Sequence, residues 1–174
     1  MFYFYAHRLG DKGKSVNDPH RKLKDAFGRY ATGVTVATCR AADGALAALT
    51  VNSFTSVSLD PALVLWSIEK SASCFDIFDR ADNYGVSILK AGQENVSTAF
   101  AMRGAEALED IETTVWKTGA PILVPRLAGF DCRIVDRRAA GDHVVLVGEV
   151  VEYDVQNGAP LIYFASQYGV GPQA

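Results

Sequence analysis

Thr50, Asn52 and Ser53 place three hydrogen-bonding side chains in four consecutive positions, "TVNS", within the run "LTVNSFTSVSLDP" from Leu49 to Pro61. Hydroxyls, amides and backbone N–H groups released from regular pairing can read the edge of a planar heteroaromatic ring. The same residue types also suit a bulge or barrel corner whose polar groups satisfy one another. The spacing alone leaves both readings open. Downstream, "WSIEKSASCFD" runs from an apolar strand straight into a helix start and concentrates Lys70, Ser71 and Ser73 there. Unpaired N–H groups beside a cation and hydroxyls are the ingredients of a phosphate site. The competing reading is simpler, since serines cap helices and lysines decorate loops.

His143, in "GDHVV", stands where a turn feeds a strand. A single ionisable group without a recognisable partner is read more readily as structural or exposed than as catalytic. Arg137 and Arg138 just before that turn are solvated ends or contacts for an anionic substrate. The chain has no G-x-G-x-x-G after a strand, no G-x-x-x-x-G-K-[ST], no G-x-S-x-G and no H-E-x-x-H. A nucleotide, if bound, is therefore not held by the familiar glycine-rich loops. Cys39, Cys74 and Cys132 are dispersed, as are His7, His20 and His143. Neither a metal site nor a disulfide framework is expected, and the thiols read as buried.

The elements that must position these groups follow from periodicity. A helix is expected over about residues 19–31, with Asp18 as N-cap, Pro19 in its first turn, Leu23, Phe27 and Tyr30 on one face, and Gly33 beyond its end. "GVTVATC" and "ALAALTV" flank Asp43-Gly44, a hairpin signal. "ALVLWSI" (62–68) reads as a central strand buried on both sides, followed by "YGVSIL" (84–89). In "LAGFDCRIV" (127–135), Ala128, Phe130, Cys132 and Ile134 share one face, with Asp131 and Arg133 on the other. "HVVLVGEVVEY" (143–153) and the short "PLIYF" complete the strands. Helices are expected in "SASCFDIFDRAD", with Ser71 or Ser73 as cap and a capping box from Ser73 to Asp76, and in "GQENVSTAFAMRG", ending at Gly104. Antiparallel strand chemistry outnumbers βα alternation, which favours a β-barrel with packed helices over a dinucleotide-binding parallel sheet.

The bulk numbers agree with one globular domain. The chain has 174 residues, 49% hydrophobic and 21% charged, with a formal net charge of −3. That balance argues against a nucleic-acid surface. No apolar run approaches the roughly 18 residues of a membrane span. "MFYFY" is too short for a signal peptide, so a cytoplasmic protein is expected.

Taken in register, "FGRYATGVTVAT", "ALTVNSFTSVSLDPALVLWSI", "YGVSIL", "STAFA", "GFDCRIV", "GDHVVLVGEV" and "PLIYFASQYG" resemble the flavin reductase family, the short NAD(P)H:flavin oxidoreductases that serve two-component flavin monooxygenases. The resemblance runs from about Phe27 to Gly169. It implies a mainly β fold with flanking helices, a six-stranded antiparallel FMN-binding split barrel, spanning 18–174 after an N-terminal arm at 1–17. It implies FMN or FAD as flavin, NADH or NADPH as hydride donor, a homodimer, and a partner flavin-dependent monooxygenase. Carried over residue by residue, Thr50, Val51, Asn52 and Ser53 lie along the flavin ring. Ser67, Lys70, Ser71 and Ser73 lie near its phosphate, Phe100 and Tyr168 approach the cofactor, and His143 is the catalytic helper near flavin and nicotinamide. Ala165-Ser166-Gln167 depart from the basic residues that many members carry before the matching tyrosine, which points to NADH. The aromatic leader departs too, and suggests an arm over a partner subunit. An FMN-dependent oxidase or a flavin sensor on the same barrel is the alternative.

Overall fold

The computed structural model describes residues 19–173, so the expected arm at 1–17 and the Asp18 cap lie outside the described residues. In chain order the elements are α1 (Arg21–Phe27), β1 (Thr32–Gly33), β2 (Thr35–Arg40), β3 (Leu46–Val51), β4 (Thr55–Leu59), β5 (Ala62–Glu69), α2 (Phe75–Arg80) and β6 (Asn83–Ile88). Then follow α3 (Glu94–Arg103), a 3-10 segment (Gly104–Glu109), β7 (Thr113–Val115), β8 (Pro121–Leu123), β9 (Ala128–Ala140), β10 (His143–Val155), β11 (Leu161–Phe164) and β12 (Gln167–Val170).

The protein is mainly β and antiparallel, with helices packed around the strands. Its principal sheet has seven hydrogen-bonded strands rather than six, in the order β3-β2-β6-β9-β10-β5-β4. The additional strand is β4: the polar run Thr55–Leu59 reads as a turn by composition, yet it pairs along β5 from Thr55↔Leu65 to Leu59↔Ala62. Smaller sheets join β1, β11 and β12, and β7 with β8.

Two cores flank the β2–β3 hairpin. Val51, Ala37 and Cys39 face the first, which is built around Trp66, Ile68, Phe78, Tyr84 and Leu146. Val36 and Ala48 face the second, with Leu89, Phe100, Leu123 and Leu161. Burial on both faces is therefore seen along β2, whose residues from Thr35 to Cys39 are all buried, and in β6 from Tyr84 to Ser87, rather than along the whole of β5. On β5, Val64, Trp66 and Ile68 enter the first core, while Leu63 and Leu65 stay half-buried on the other face. The Trp66 ring meets Phe78 edge-on at 4.9 Å between centroids and Tyr84 at 5.9 Å. Each such ring contributes about 1.5–3 kcal/mol through burial alone.

The hairpin forms as composition predicts: Asp43 Oδ1 accepts the Ala45 N–H at 3.0 Å, and Gly44 supplies φ +86°. On β9, Phe130, Cys132 and Ile134 do pack on the first core. Asp131, on the opposite side, is not solvated but fully buried, accepting hydrogen bonds from the Thr118 N–H at 2.8 Å and the Thr118 hydroxyl. A bulge at Val135, between the pairs Val147↔Asp136 and Gly148↔Ile134, resets the alternation beyond it.

The helices are shorter than expected. α1 ends at Phe27 and is capped by Gly28, so Gly33 belongs to β1. It buries no residue: Leu23 and Phe27 are 52% and 48% exposed, and Tyr30, beyond its end, is 78% exposed. α2 has six residues, its N-cap is Cys74, and no side chain caps it, so the Ser73–Asp76 capping box is absent. α3 ends at Gly104 as expected, with Val96 and Phe100 on the second core.

All three cysteines are free. Burial pushes the Cys39 and Cys132 thiols from 9.0 up to about 12, with lesser contributions from Cys74 and Asp131 respectively. A thiol that holds its proton more tightly when folded contributes stability in full below pH 9.0, and that contribution is lost as pH rises through about 12. Urea midpoints measured in the alkaline range are expected to fall above the unfolded value, and less steeply in a Cys39→Ala, Cys132→Ala variant. An identical alkaline slope in the two proteins would contradict this assignment.

Candidate functional site

Cross-strand partners in an antiparallel pair share a face of the sheet. The β5–β10 register pairs Leu65 with Val147, Ser67 with Val145 and Glu69 with His143. The alternate pairs, Val64–Gly148, Trp66–Leu146 and Ile68–Val144, point into the first core. Leu65, Val145 and Val147 thus form a half-buried apolar strip on the opposite face, with Ser67, Glu69 and His143 toward one end.

The "TVNS" segment reaches this region where β3 becomes β4. Ladder pairing ends at Thr35↔Val51 and resumes at Thr55↔Leu65, leaving Asn52, Ser53 and Phe54 outside the strands. The Ser53 hydroxyl fills part of that gap: it accepts the Ser67 N–H at 3.0 Å and donates to the Ser67 carbonyl at 3.3 Å. Asn52 is half-buried, and its side chain makes no hydrogen bond among the described residues. Thr50 turns the other way, donating at 2.6 Å to the carbonyl of Ser97 on α3. Val51 is buried in the first core.

The residues of the polar stretch thus differ in what they leave available. Thr50 and Ser53 are satisfied internally, as at a barrel corner. Asn52 retains an amide with donors and an acceptor to offer. The half-buried strip and this unused amide fit a planar heteroaromatic ring with a polar edge.

In the strand-to-helix segment, Lys70 and Ser71 have partners within the chain. Lys70 donates from Nζ to the Gly141 carbonyl at 2.7 Å, and its N–H donates to the Asp142 carbonyl at 2.9 Å. Its first task is to pin the β9–β10 turn to the end of β5. Ser71 donates to the Glu69 carboxylate, and Ser73 is exposed. Because α2 is short and capped by Cys74, its own N-terminus supplies little of the expected anion site. Phe100 is fully buried, so its ring belongs to the second core in this chain. Tyr168 donates to the Ser97 hydroxyl at 2.9 Å and packs edge-on against Tyr163.

His143 opens β10. Its side chain is 13% exposed, and Nδ1 lies 2.7 Å from Oδ1 of Asp142, whose own side chain is 83% exposed. The hydrogen bond to His143 holds the Asp142 carboxyl below the usual carboxylate range. The histidine taken as partnerless thus has a partner one residue away, a spacing that periodicity does not flag. Ser97 is the other residue that sequence reasoning passed over. It sits between Val96 and Phe100 on the buried side of α3, linking Thr50 to Tyr168. A polar residue on an otherwise apolar helix face was its only signal.

Among the described residues no cluster of His, Cys, Asp and Glu is placed to hold a metal ion. No helix there is long and apolar enough to cross a membrane.

Comparison with known proteins bears on what this arrangement serves. The family described as flavin reductase like domain matches residues 27–172. The FMN reductase (NADH) SmoA of Agrobacterium fabrum is 39% identical over 149 residues, covering 86% of this chain and 84% of that protein. The reductase component of the flavin-dependent trigonelline monooxygenase of Acinetobacter baylyi is 38% identical over 148 residues, covering 85% of this chain but 48% of that protein. Among solved structures, BorF, the flavin reductase component of a bacterial two-component tryptophan halogenase, superposes with a TM-score of 0.81 at 33% identity, covering 88% of this chain and 99% of that one.

Proposed function

The chain belongs to the flavin reductase-like family, and from that premise we propose that it is an NADH-dependent flavin reductase supplying reduced flavin to a partner monooxygenase. The observation that carries the proposal is the family match across residues 27–172, which takes in both the "TVNS" segment and the His143 turn. A bound flavin supplies the electron acceptor for hydride leaving the nicotinamide.

The chain's own task is to hold two rings in contact and keep water away. The strip of Leu65, Val145 and Val147 gives an apolar wall, and Asn52 offers its amide to a ring edge. Thr50 and Ser53 act from behind, fixing the course of the segment that carries Asn52. Ser67, Ser71 and Ser73, with Lys70 holding the adjacent turn, are assigned to the phosphate end. Val51 and Phe100 contribute packing, and Tyr168 braces α3. His143 stands at the rim as the group that steadies the nicotinamide or developing charge.

Three finer points belong to the same reading. NADH rather than NADPH is assigned because Ala165-Ser166-Gln167 offers no cation to a nucleotide phosphate, and FMN or FAD both remain acceptors. A homodimer is assigned from the family resemblance, and the half-exposed Leu23 of α1 accords with it. The seven-stranded sheet together with the β1-β11-β12 sheet is taken as the split barrel, and the free thiols accord with the cytoplasm.

The test is NADH and NADPH oxidation with FMN, FAD or no added flavin. Stimulation by free flavin with NADH preferred is the expected result. Turnover indifferent to added flavin would mark an oxidase, and absence of turnover a sensor. In the same assay His143→Ala is expected to lower kcat by roughly tenfold to a hundredfold while flavin affinity stays within about twofold. Unchanged kcat would remove His143 from the reaction.

A further inference from the structure

We propose that Asp142 is a positioning residue for the reduction, its carboxylate fixing the tautomer and orientation of His143 so that Nε2 is the nitrogen presented to bound substrate. The proposal rests on the flavin-reductase reading above for its functional consequence, though not for its geometry.

The contact is between a sheltered ring and an open carboxylate: His143 is 13% exposed, Asp142 83%, and Nδ1 to Oδ1 is 2.7 Å. A carboxylate accepts hydrogen bonds and donates none, so Nδ1 carries the hydrogen. In the neutral ring Nε2 is then an acceptor, and in the charged ring it is a donor. Without the carboxylate the neutral ring is free to place its hydrogen on Nε2, which would present the opposite hydrogen-bonding character to substrate.

The dyad is also held from outside. The turn that carries Asp142 passes through Gly141 at φ +65° and is tied to β5 by both Lys70 hydrogen bonds, to the carbonyls of Gly141 and Asp142. His143 itself is locked in register between Glu69 on β5 and Ala140 on β9. The charged groups around the ring come from each of these elements. They are Asp142 on its own turn, Glu69 opposite with its carboxylate bonded by Ser71, Lys70 beside it, and Arg138 on β9, paired with Asp136 at 2.7 Å. Among the described residues, only Asp142 has a hydrogen bond to the ring. Lys70, read from sequence as a phosphate ligand, thereby acquires a second and structural purpose.

The decisive measurement is the pair of side-chain 15N chemical shifts of His143 in the folded protein without flavin, for wild type, Asp142→Asn and Asp142→Ala. Wild type is expected to carry its hydrogen on Nδ1 in the neutral form, Asp142→Asn to keep that tautomer through its amide oxygen, and Asp142→Ala to shift toward Nε2–H. In kinetics, Asp142→Ala is expected to lower kcat/KM for NADH about tenfold with flavin affinity unchanged. With His143→Ala already in place, Asp142→Ala should cost nothing further. The same tautomer in wild type and Asp142→Ala would overturn the proposal, as would an equal loss in the His143→Ala background. If no flavin stimulates NADH oxidation by wild type, the function falls, while the nitrogen shifts still decide the dyad.

Discussion

Gly148→Ala is expected to lower the stability of the protein by about 3 kcal/mol, the upper part of the range for overpacking a well-ordered core. A β-carbon at position 148 would lie 2.3 Å from Tyr84 Oη, 2.6 Å from Tyr84 Cζ and 2.9 Å from Cys132 Cβ. Tyr84 cannot give way. It is fully buried, its ring lies edge-on to Trp66, and its hydroxyl reaches the Val64 carbonyl at 3.4 Å. In an ordinary strand, replacing glycine by alanine would stabilise by roughly 0.5–1 kcal/mol, so the sign alone decides whether the close approach is real. Urea denaturation provides the measurement. Adding Tyr84→Phe should recover only part of the loss, since Cζ remains in the way. A midpoint for Gly148→Ala at or above wild type would show that β10 and Tyr84 are not in this contact.

The second large effect is expected at Asp154→Ala, about 3 kcal/mol, the lower end for breaking a buried ion pair because Asp154 is 35% exposed. Its partner Arg126 has a side chain only 7% exposed. Arg126 Nε donates to Asp154 Oδ1 at 2.9 Å, Nη2 donates to Oδ2, and Nη1 donates to the Leu123 carbonyl at 2.6 Å. The guanidinium lies 5.0 Å from the centroid of the Trp116 ring, and the Gly129 N–H donates to Asp154 Oδ1 at 3.1 Å. Removing the carboxylate strands a buried cation and an N–H together. Asp154→Asn, which keeps an acceptor, should cost less. Replacing the pair together, Arg126→Met with Asp154→Leu, should be milder than Asp154→Ala alone. If Asp154→Ala and the double replacement have equal midpoints, the pair carries no such penalty.

Local chemistry made much of the fold legible. The Asp43-Gly44 hairpin, the end of α3 at Gly104, and the inward row Phe130, Cys132 and Ile134 all follow from turn preference or alternation. What escaped depends on neighbours distant in sequence. β4 is polar in composition and becomes a strand because β5 offers it a ladder. β2 shows nothing special in its own residues, and it is buried on both faces because α3 and Trp66 arrive from opposite sides.

The candidate site divides along the same line. Residue types identified the groups able to hydrogen-bond, but not which of them are consumed internally. Thr50 is taken up by Ser97, and Lys70 by Gly141 and Asp142, through contacts spanning dozens of residues. The Asp142–His143 contact is the reverse case, too local for any pattern of helix or strand to reveal.

The position of β5 in the sheet also bears on how the molecule comes into being. Its hydrogen-bonded neighbours are β4, which directly precedes it, and β10, near the far end of the polypeptide. At roughly 5–20 residues per second, a ribosome needs on the order of several seconds to carry synthesis from β5 to β10. During that interval Val64, Trp66 and Ile68 await Leu146 and Val144, and one whole edge of β5 awaits its ladder. Such pairing between remote segments is slow to form and leaves apolar edges open to other chains. The nascent chain is thus most prone to aggregation just before its longest hairpin, β9–β10, leaves the ribosome.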